Sequence, residues 1–457
     1  MAWMEKLDRA AVDAGVGDVS AFRIPGFPYL RVDRFASSFR VEASSGDAAF
    51  NTWAERLRAL DLSARAYELS NLPGAARESL RMPDARGPAE RTEECSAVLA
   101  HDDLAEPAQR RALLERAVVP DDYAGWVRNT GIYAIASGPF SVGVEGWHKE
   151  AAEMFRKAAS GQGYAANVRR FGAASPPVSA AEIREVLGRT PNDALGVPHP
   201  DQAGVETLFR AYAPQFEVET TGPYDRIGRL TWSATGVPQV DTGAPVVYRR
   251  LAHTRFGGRT LLQLVYTAWF PERPPESSTD ILAGHLDGLV VRVTLDPDGR
   301  PLAYDSIHPC GCYHMFFPTG LVRLVDAPDP REEWAFVPAS LPVLEAGQRV
   351  AVRMASKNHY VVSVRPAEGA VDQAYAFAED DELRSLPLPG GGTRSLFGPD
   401  ALVASSVRPE RMLFWPMGIA SAGTMRQWGR QPTAFVGVRH FDDADLFEKR
   451  FARRTAP

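Results

Sequence analysis

Two long apolar runs, each folded back on itself, commit the middle of this chain to antiparallel pairing. Segments 246–255 and 259–270 flank Phe256-Gly257-Gly258, and segments 289–295 and 301–307 flank Asp296-Pro297-Asp298-Gly299. Glycine supplies the positive φ of a tight reversal and proline presets φ, while the flanking strands carry the β-branched and aromatic residues that suit a pleated surface. Shorter strand signals stand at 216–219 and 229–233, and again near 321–325, 349–354 and 359–365.

Before residue 215 the texture is different. Phe50, Trp53, Leu57 and Leu60 recur at helical intervals within 48–69, and similar spacing predicts helices near 105–118, 144–159, 179–189 and 200–212. Ser179 with Glu182 three residues later is the pattern of a capping box, whereas 171–178 reads as irregular. At 457 residues the chain exceeds what one core usually holds. The predicted fold is therefore α+β, with a mainly helical domain over 1–215 packed on or beside a mainly antiparallel β domain over 216–457.

The chemistry gathers at one turn. His308-Pro309-Cys310-Gly311-Cys312-Tyr313-His314 holds two of the three cysteines and two of the nine histidines. A straight strand would spread these donors over roughly 20 Å, but Pro309 and Gly311 favour a folded-back segment in which they converge. If the hairpin turn is centred on Pro297-Asp298, His285 lies near His308, roughly 5–7 Å away between β-carbons. The expected neighbourhood is His285, His308, Cys310, Cys312 and His314, flanked by Asp287 and Asp305. Imidazole with thiolate suits Zn²⁺, and also iron or copper, better than hard cations. The reading is a metal-dependent hydrolase in which those five residues hold the ion while Asp287 or Asp305 relays a proton for an activated water. Two alternatives use the same residues: a non-catalytic protein with a metal clip or a redox-labile Cys310–Cys312 pair, and an acyl transferase or hydrolase with Cys312 as nucleophile.

The order His285, Ser306, Gly311-Cys312 resembles the pattern of L,D-transpeptidases, in which the catalytic cysteine follows a Ser/Thr-His-Gly run downstream of another histidine. Here Pro309-Cys310 separates His308 from Gly311, and the spacing from His285 is longer. The resemblance implies a cysteine nucleophile at Cys312. Lys357-Asn358-His359-Tyr360 enters a strand and can lend His359 to the same site, at a distance the sequence does not fix. His440 with Asp442 and Asp443 reads as a helix start opening a helix over 442–453, and Trp415-Pro416-Met417 reads as core.

Composition narrows the partners. The net charge is −6 with no basic run interleaved with aromatics, which argues against nucleic acid and leaves a small-molecule or peptide substrate. Three cysteines are too few for a disulfide framework. No run approaches the 18 or so apolar residues of a transmembrane helix. Glu5, Lys6 and Asp8 occupy the place of a signal peptide's apolar segment, so the expectation is a cytoplasmic chain, although one whose leader had been removed upstream would read the same.

Overall fold

The computed structural model describes residues 1–81, 86–162, 167–329 and 331–454. Its centre is one ten-stranded sheet. From edge to edge the strands are Met315–Pro318, Pro301–Ile307, Gly284–Leu295, Arg259–Arg273, Val246–Phe256, Gln373–Glu379, Val168–Ala173, Gln215–Glu219, Val350–Met354 and Val361–Pro366. Both predicted hairpins form, with Thr267 opposite Tyr248 in the first and Ser306 opposite Val291 in the second.

The α+β class holds, but the sheet is mixed rather than mainly antiparallel. Gln373–Glu379 runs parallel to both of its neighbours, and Val350–Met354 runs parallel to Gln215–Glu219. Local turn signals report only hairpins. A parallel neighbour is delivered by a distant segment, and nothing in the sequence of either strand marks it.

The inner face of the sheet surrounds one apolar core, in which Phe171, Val247, Leu264, Val291, Val350 and Tyr375 belong to a single cluster. The sheet thus curls into an incomplete barrel. Its two edges are tied where Tyr360, just before one edge strand, donates its hydroxyl hydrogen to the Tyr313 hydroxyl, just before the other, at 2.7 Å. Ile183 and Leu208, from the helices Ala180–Arg189 and Gln202–Ala211, pack into the same core. The Ser179 cap forms as the sequence predicts, with its hydroxyl accepting from the Glu182 amide.

The expected division at residue 215 is crossed by the sheet itself, because Val168–Ala173 lies near its middle. That strand falls partly in the stretch read as irregular: Gly172 and the charged pair Arg169-Arg170 hide its β character from a local reading. A second core nevertheless exists in the amino-terminal part. It packs Trp53 and Leu57 of the helix Asp47–Asn71 against Phe27 and Tyr29 of a hairpin and Leu113 of the helix Pro107–Arg116. Arg31 enters this core and is balanced there by Asp61 at 3.1 Å and Glu68 at 2.7 Å. Cys95 lies on the helix Pro88–Ala105 and packs beside the same core.

The long helix begins at Ile132, well before the predicted 144, and runs to Ala159. Gly138, Pro139, Gly143 and Gly146 argue against helix by propensity, and the segment is helical in spite of them. Among the described residues no helix is long and apolar enough to cross a membrane.

His440 does not open a helix, since the last helix is only Leu446–Arg450. The imidazole is instead buried within 3.2 Å of Asp121 and 3.5 Å of Asp443. Burial alone would lower its pKa, but the two carboxylates outweigh it and raise it to about 9. A histidine raised in this way stabilises the fold fully below its unfolded value near 6.5, and that contribution is lost as pH climbs through about 9. Denaturant titrations should therefore show up to about 3 kcal/mol lost between pH 6.5 and 9, and His440→Gln should remove that slope.

Candidate active site

The predicted donors separate onto two faces of the sheet. Ile307 pairs with Val290, so position 289 faces 308, and His285 lies four residues further along its strand, roughly 13 Å away. A register shift between Pro301 and Ala303 and the departure of the chain from the strand after Ile307 break the assumed pairing. His285 pairs across the sheet with Glu272, and its Nδ1 lies 3.1 Å from the Ser405 hydroxyl.

Strand alternation divides the rest. Asp305 faces out beside Arg292, its cross-strand partner, whose Nε and Nη2 donate to it at 3.0 and 2.6 Å. His314 Nε2 sits 3.0 Å from the same carboxylate. Burial pushes the His314 pKa down to about 3, so it is neutral. Asp287 belongs to the opposite face, and there His308 Nδ1 lies 3.2 Å from its Oδ1. Among the described residues no group of three or more His, Cys, Asp or Glu side chains is arranged to hold a metal ion.

What forms on the inner face is a row of alternating acid and imidazole. His308 meets Asp287; Asp287 Oδ2 accepts from His359 Nδ1 at 2.8 Å; His359 Nε2 lies 3.5 Å from Asp225 Oδ1. All four residues are buried. Asp225 also accepts from the Lys357 and Thr221 amides at 2.7 and 2.8 Å and from the Ser356 hydroxyl at 2.8 Å. These bonds overcome the effect of burial and lower its pKa to about 2. Arg408 Nη2 lies 3.4 Å from Asp287 Oδ1, and His359 stacks on Phe270 with centroids 3.8 Å apart.

The charge states follow from these neighbours. Burial would raise the Asp287 carboxyl, but His308, His359 and Arg408 hold it well below the usual range. His359 is disfavoured as a cation by burial, yet two flanking carboxylates raise it. His308 has only one, and burial wins, lowering its pKa. The row thus favours carboxylates at Asp225 and Asp287, the cation at His359 and the neutral imidazole at His308. The His308 proton sits on Nδ1 towards the carboxylate, and its buried Nε2 has no hydrogen-bond partner.

The backbone is strained where it delivers these groups. Leu286, Tyr313 and His359 have φ of 58°, 60° and 52°. Left-handed conformations are costly for bulky residues and cluster at functional sites. Between His308 and Cys312 the chain closes a turn, with the His308 amide donating to Cys312 O at 3.0 Å and the Gly311 amide donating to His308 O at 2.8 Å. The two thiols are free, and the Cys312 amide donates to Cys310 Sγ at 3.4 Å. A hydrogen bond between the thiols makes Cys310 the more acidic, helped by Arg408, and holds Cys312 well above the usual thiol range.

Cys312 opens on a cavity of about 540 Å³ whose wall includes Phe140, Trp147, Tyr313, Tyr360, Glu410 and Phe414. Burial lifts the Glu410 carboxyl to about 7. Its seat depends on Gly423, whose φ is +80° and where a β-carbon would fall 1.8 Å from Glu410 Oε1. Searches of protein-family models, characterised proteins and solved structures find no match to this chain.

Asp225, Arg408 and Glu410 were not anticipated. Asp225 follows Gly222-Pro223 in what reads as a turn, and Arg408 and Glu410 flank Pro409 in a loop. A buried charge in an irregular segment carries no periodic signature.

Proposed function

We propose that the protein is a cysteine-dependent acyl hydrolase or acyl transferase, with Cys312 as nucleophile and His308 as general base. The observation that carries this reading is the buried row ending in an unpartnered imidazole nitrogen, one turn away from Cys312, which opens on a cavity. An imidazole held neutral, with its Nδ1 proton fixed by a carboxylate, presents Nε2 as a base. The metal-dependent alternative has less support, because His285, His308 and His314 are engaged by Ser405, Asp287 and Asp305 respectively.

The steps balance as follows. Starting from Cys310 as the thiolate, Cys312 Sγ bonds to the substrate carbonyl carbon and its proton passes to Cys310 Sγ. The leaving group departs with that proton, restoring the Cys310 thiolate. Water then attacks the thioester and gives a proton to His308 Nε2. The C–S bond breaks, and the Cys312 thiolate recovers the proton from His308.

Separate roles give separable variants. With p-nitrophenyl acetate, wild-type protein should release p-nitrophenolate continuously. His308→Gln should release about one equivalent and retain an acetyl group on Cys312, visible by intact-mass spectrometry, because loss of a general base slows the second step by about 10²–10⁴. Cys312→Ala should give neither release nor adduct. An unmodified Cys312 in His308→Gln, or full turnover in Cys312→Ala, would sink the reading.

A further inference from the structure

From Asn129 to Val144 the chain carries no charged residue, and between Ile132 and Glu150 the long helix has no buried residue. Its buried residues, Ala151, Phe155 and Ala158, all lie towards its carboxy-terminal end. Ile135 is 81% exposed and Val142 70%. The segment Arg411–Phe414 lies alongside, with Met412 72% and Leu413 55% exposed. Phe140 and Phe414 join the two segments with ring centroids 5.5 Å apart. Trp126 and Trp415 are exposed as well.

A soluble chain rarely leaves so much aliphatic surface open on two adjoining segments without a use for it. The position of this ridge indicates its occupant. Phe140, Val144, Leu413 and Phe414 also line the cavity on which Cys312 opens, so the ridge continues into the apolar side of a wall that elsewhere carries Glu150, Glu333 and Glu410. A ligand reaching from the thiol along that surface meets rings and aliphatic side chains first and the exposed ridge last. Such a path suits an unbranched alkyl chain. Uncharged helix with tryptophans at its margins is also the composition that settles in the interfacial region of a bilayer.

We infer that the substrate is a long-chain fatty acyl ester or thioester, taken from a lipid surface on which the ridge formed by Ile135, Val142, Met412 and Leu413 rests. This deepens the acyl-transfer reading and rests on it for the reactive carbonyl, whereas the binding of the chain can be measured without chemistry.

The test uses the full chain, dansylundecanoate as a fluorescent probe and phosphatidylcholine vesicles, which are zwitterionic and so suit a protein of net charge −6. Saturable probe binding is expected, displaced by dodecanoate and not by butyrate, and Cys312→Ala should bind as wild type does. Val142→Asp combined with Met412→Asp places two charges on exposed positions that the fold does not need. It should weaken flotation with vesicles at least about tenfold, because charge on such a face opposes insertion. Equal displacement by butyrate, vesicle association unchanged in the double variant, or a concentration-dependent dimer abolished by Val142→Asp would each overturn the inference, the last by showing that a second copy covers the ridge. If the probe binds but no thioester forms from any ester, the nucleophile reading fails and the chain site stands. If acetyl transfer occurs but the probe does not bind, the reverse holds.

Discussion

Replacing Gly311 with alanine should lower the free energy of unfolding by roughly 3 kcal/mol and disorder the thiol pair. Gly311 has φ +93°, and a β-carbon there would lie 2.4 Å from the carbonyl oxygen of Pro432. Two costs therefore add: the left-handed backbone, which every side chain but glycine's resists, and a collision with main chain, which cannot swing aside as a flexible side chain can. Either the turn from His308 to Cys312 opens or the segment at Pro432 retreats. Chemical denaturation reads the stability. The rate of Cys312 alkylation reads the turn and should rise as the thiol hydrogen bond is lost. A variant as stable as wild type, with unchanged alkylation, would mean that the turn relaxes at little cost.

Asp287→Asn should be as damaging and should also change the pH profile. The carboxylate is buried between His308, His359 and Arg408. Its loss leaves His359 with Asp225 as its one carboxylate and removes the carboxylate beside the buried Arg408 guanidinium, at about 3–5 kcal/mol. The signs differ along the row. The depressed Asp287 and Asp225 carboxyls contribute stability that is present above their unfolded pKa near 4 and is lost as pH falls through their folded values, about 2 for Asp225. The raised His359 contributes stability that is present below about 6.5 and lost as pH rises through its folded value. Wild-type protein should thus weaken on both sides of a plateau between about pH 4 and 6.5, and the Asn variant should flatten both limbs. Its deacylation should slow by about 10²–10⁴, since an amide can also hold His308 in the tautomer whose Nε2 carries the proton. Unchanged acid and alkaline limbs would show that the row is not a linked electrostatic unit.

How much of this was legible depended on locality. The hairpins, the helix over 47–71 and the Ser179 cap were readable because their signals lie within a few residues of the structure they dictate. The turn at 308–314 was legible as the centre of chemistry for the same reason, and Asp287 as its neighbour. The partnerships were not. His308 meets Asp287 and not His285 because the observed register sets position 289 opposite 308 and leaves His285 four residues further along its strand. Asp305 and Asp287 are the same residue type on paired strands, yet alternation puts them on opposite faces. His359 could be suspected from its place before a strand, but its contact with Asp287 exists only because the barrel's two edges come together. Trp415 read as core and is exposed, because an aromatic residue signals burial without saying by what.

The order of the sheet has a consequence for how the chain is synthesised. Residues 246–318 can build five adjacent strands among themselves, and residues 168–219 with 350–366 can build four others, but the two groups touch in the sheet only through Gln373–Glu379. That strand is the last of the ten to leave the ribosome, and it enters the middle, parallel to both neighbours. Until it arrives, each half presents an unpaired inner edge, and the nascent chain holds two open templates for pairing with other chains. The last-made strand is therefore the keystone of the sheet, and the nascent protein is most exposed to misassembly in the interval before Glu379 emerges.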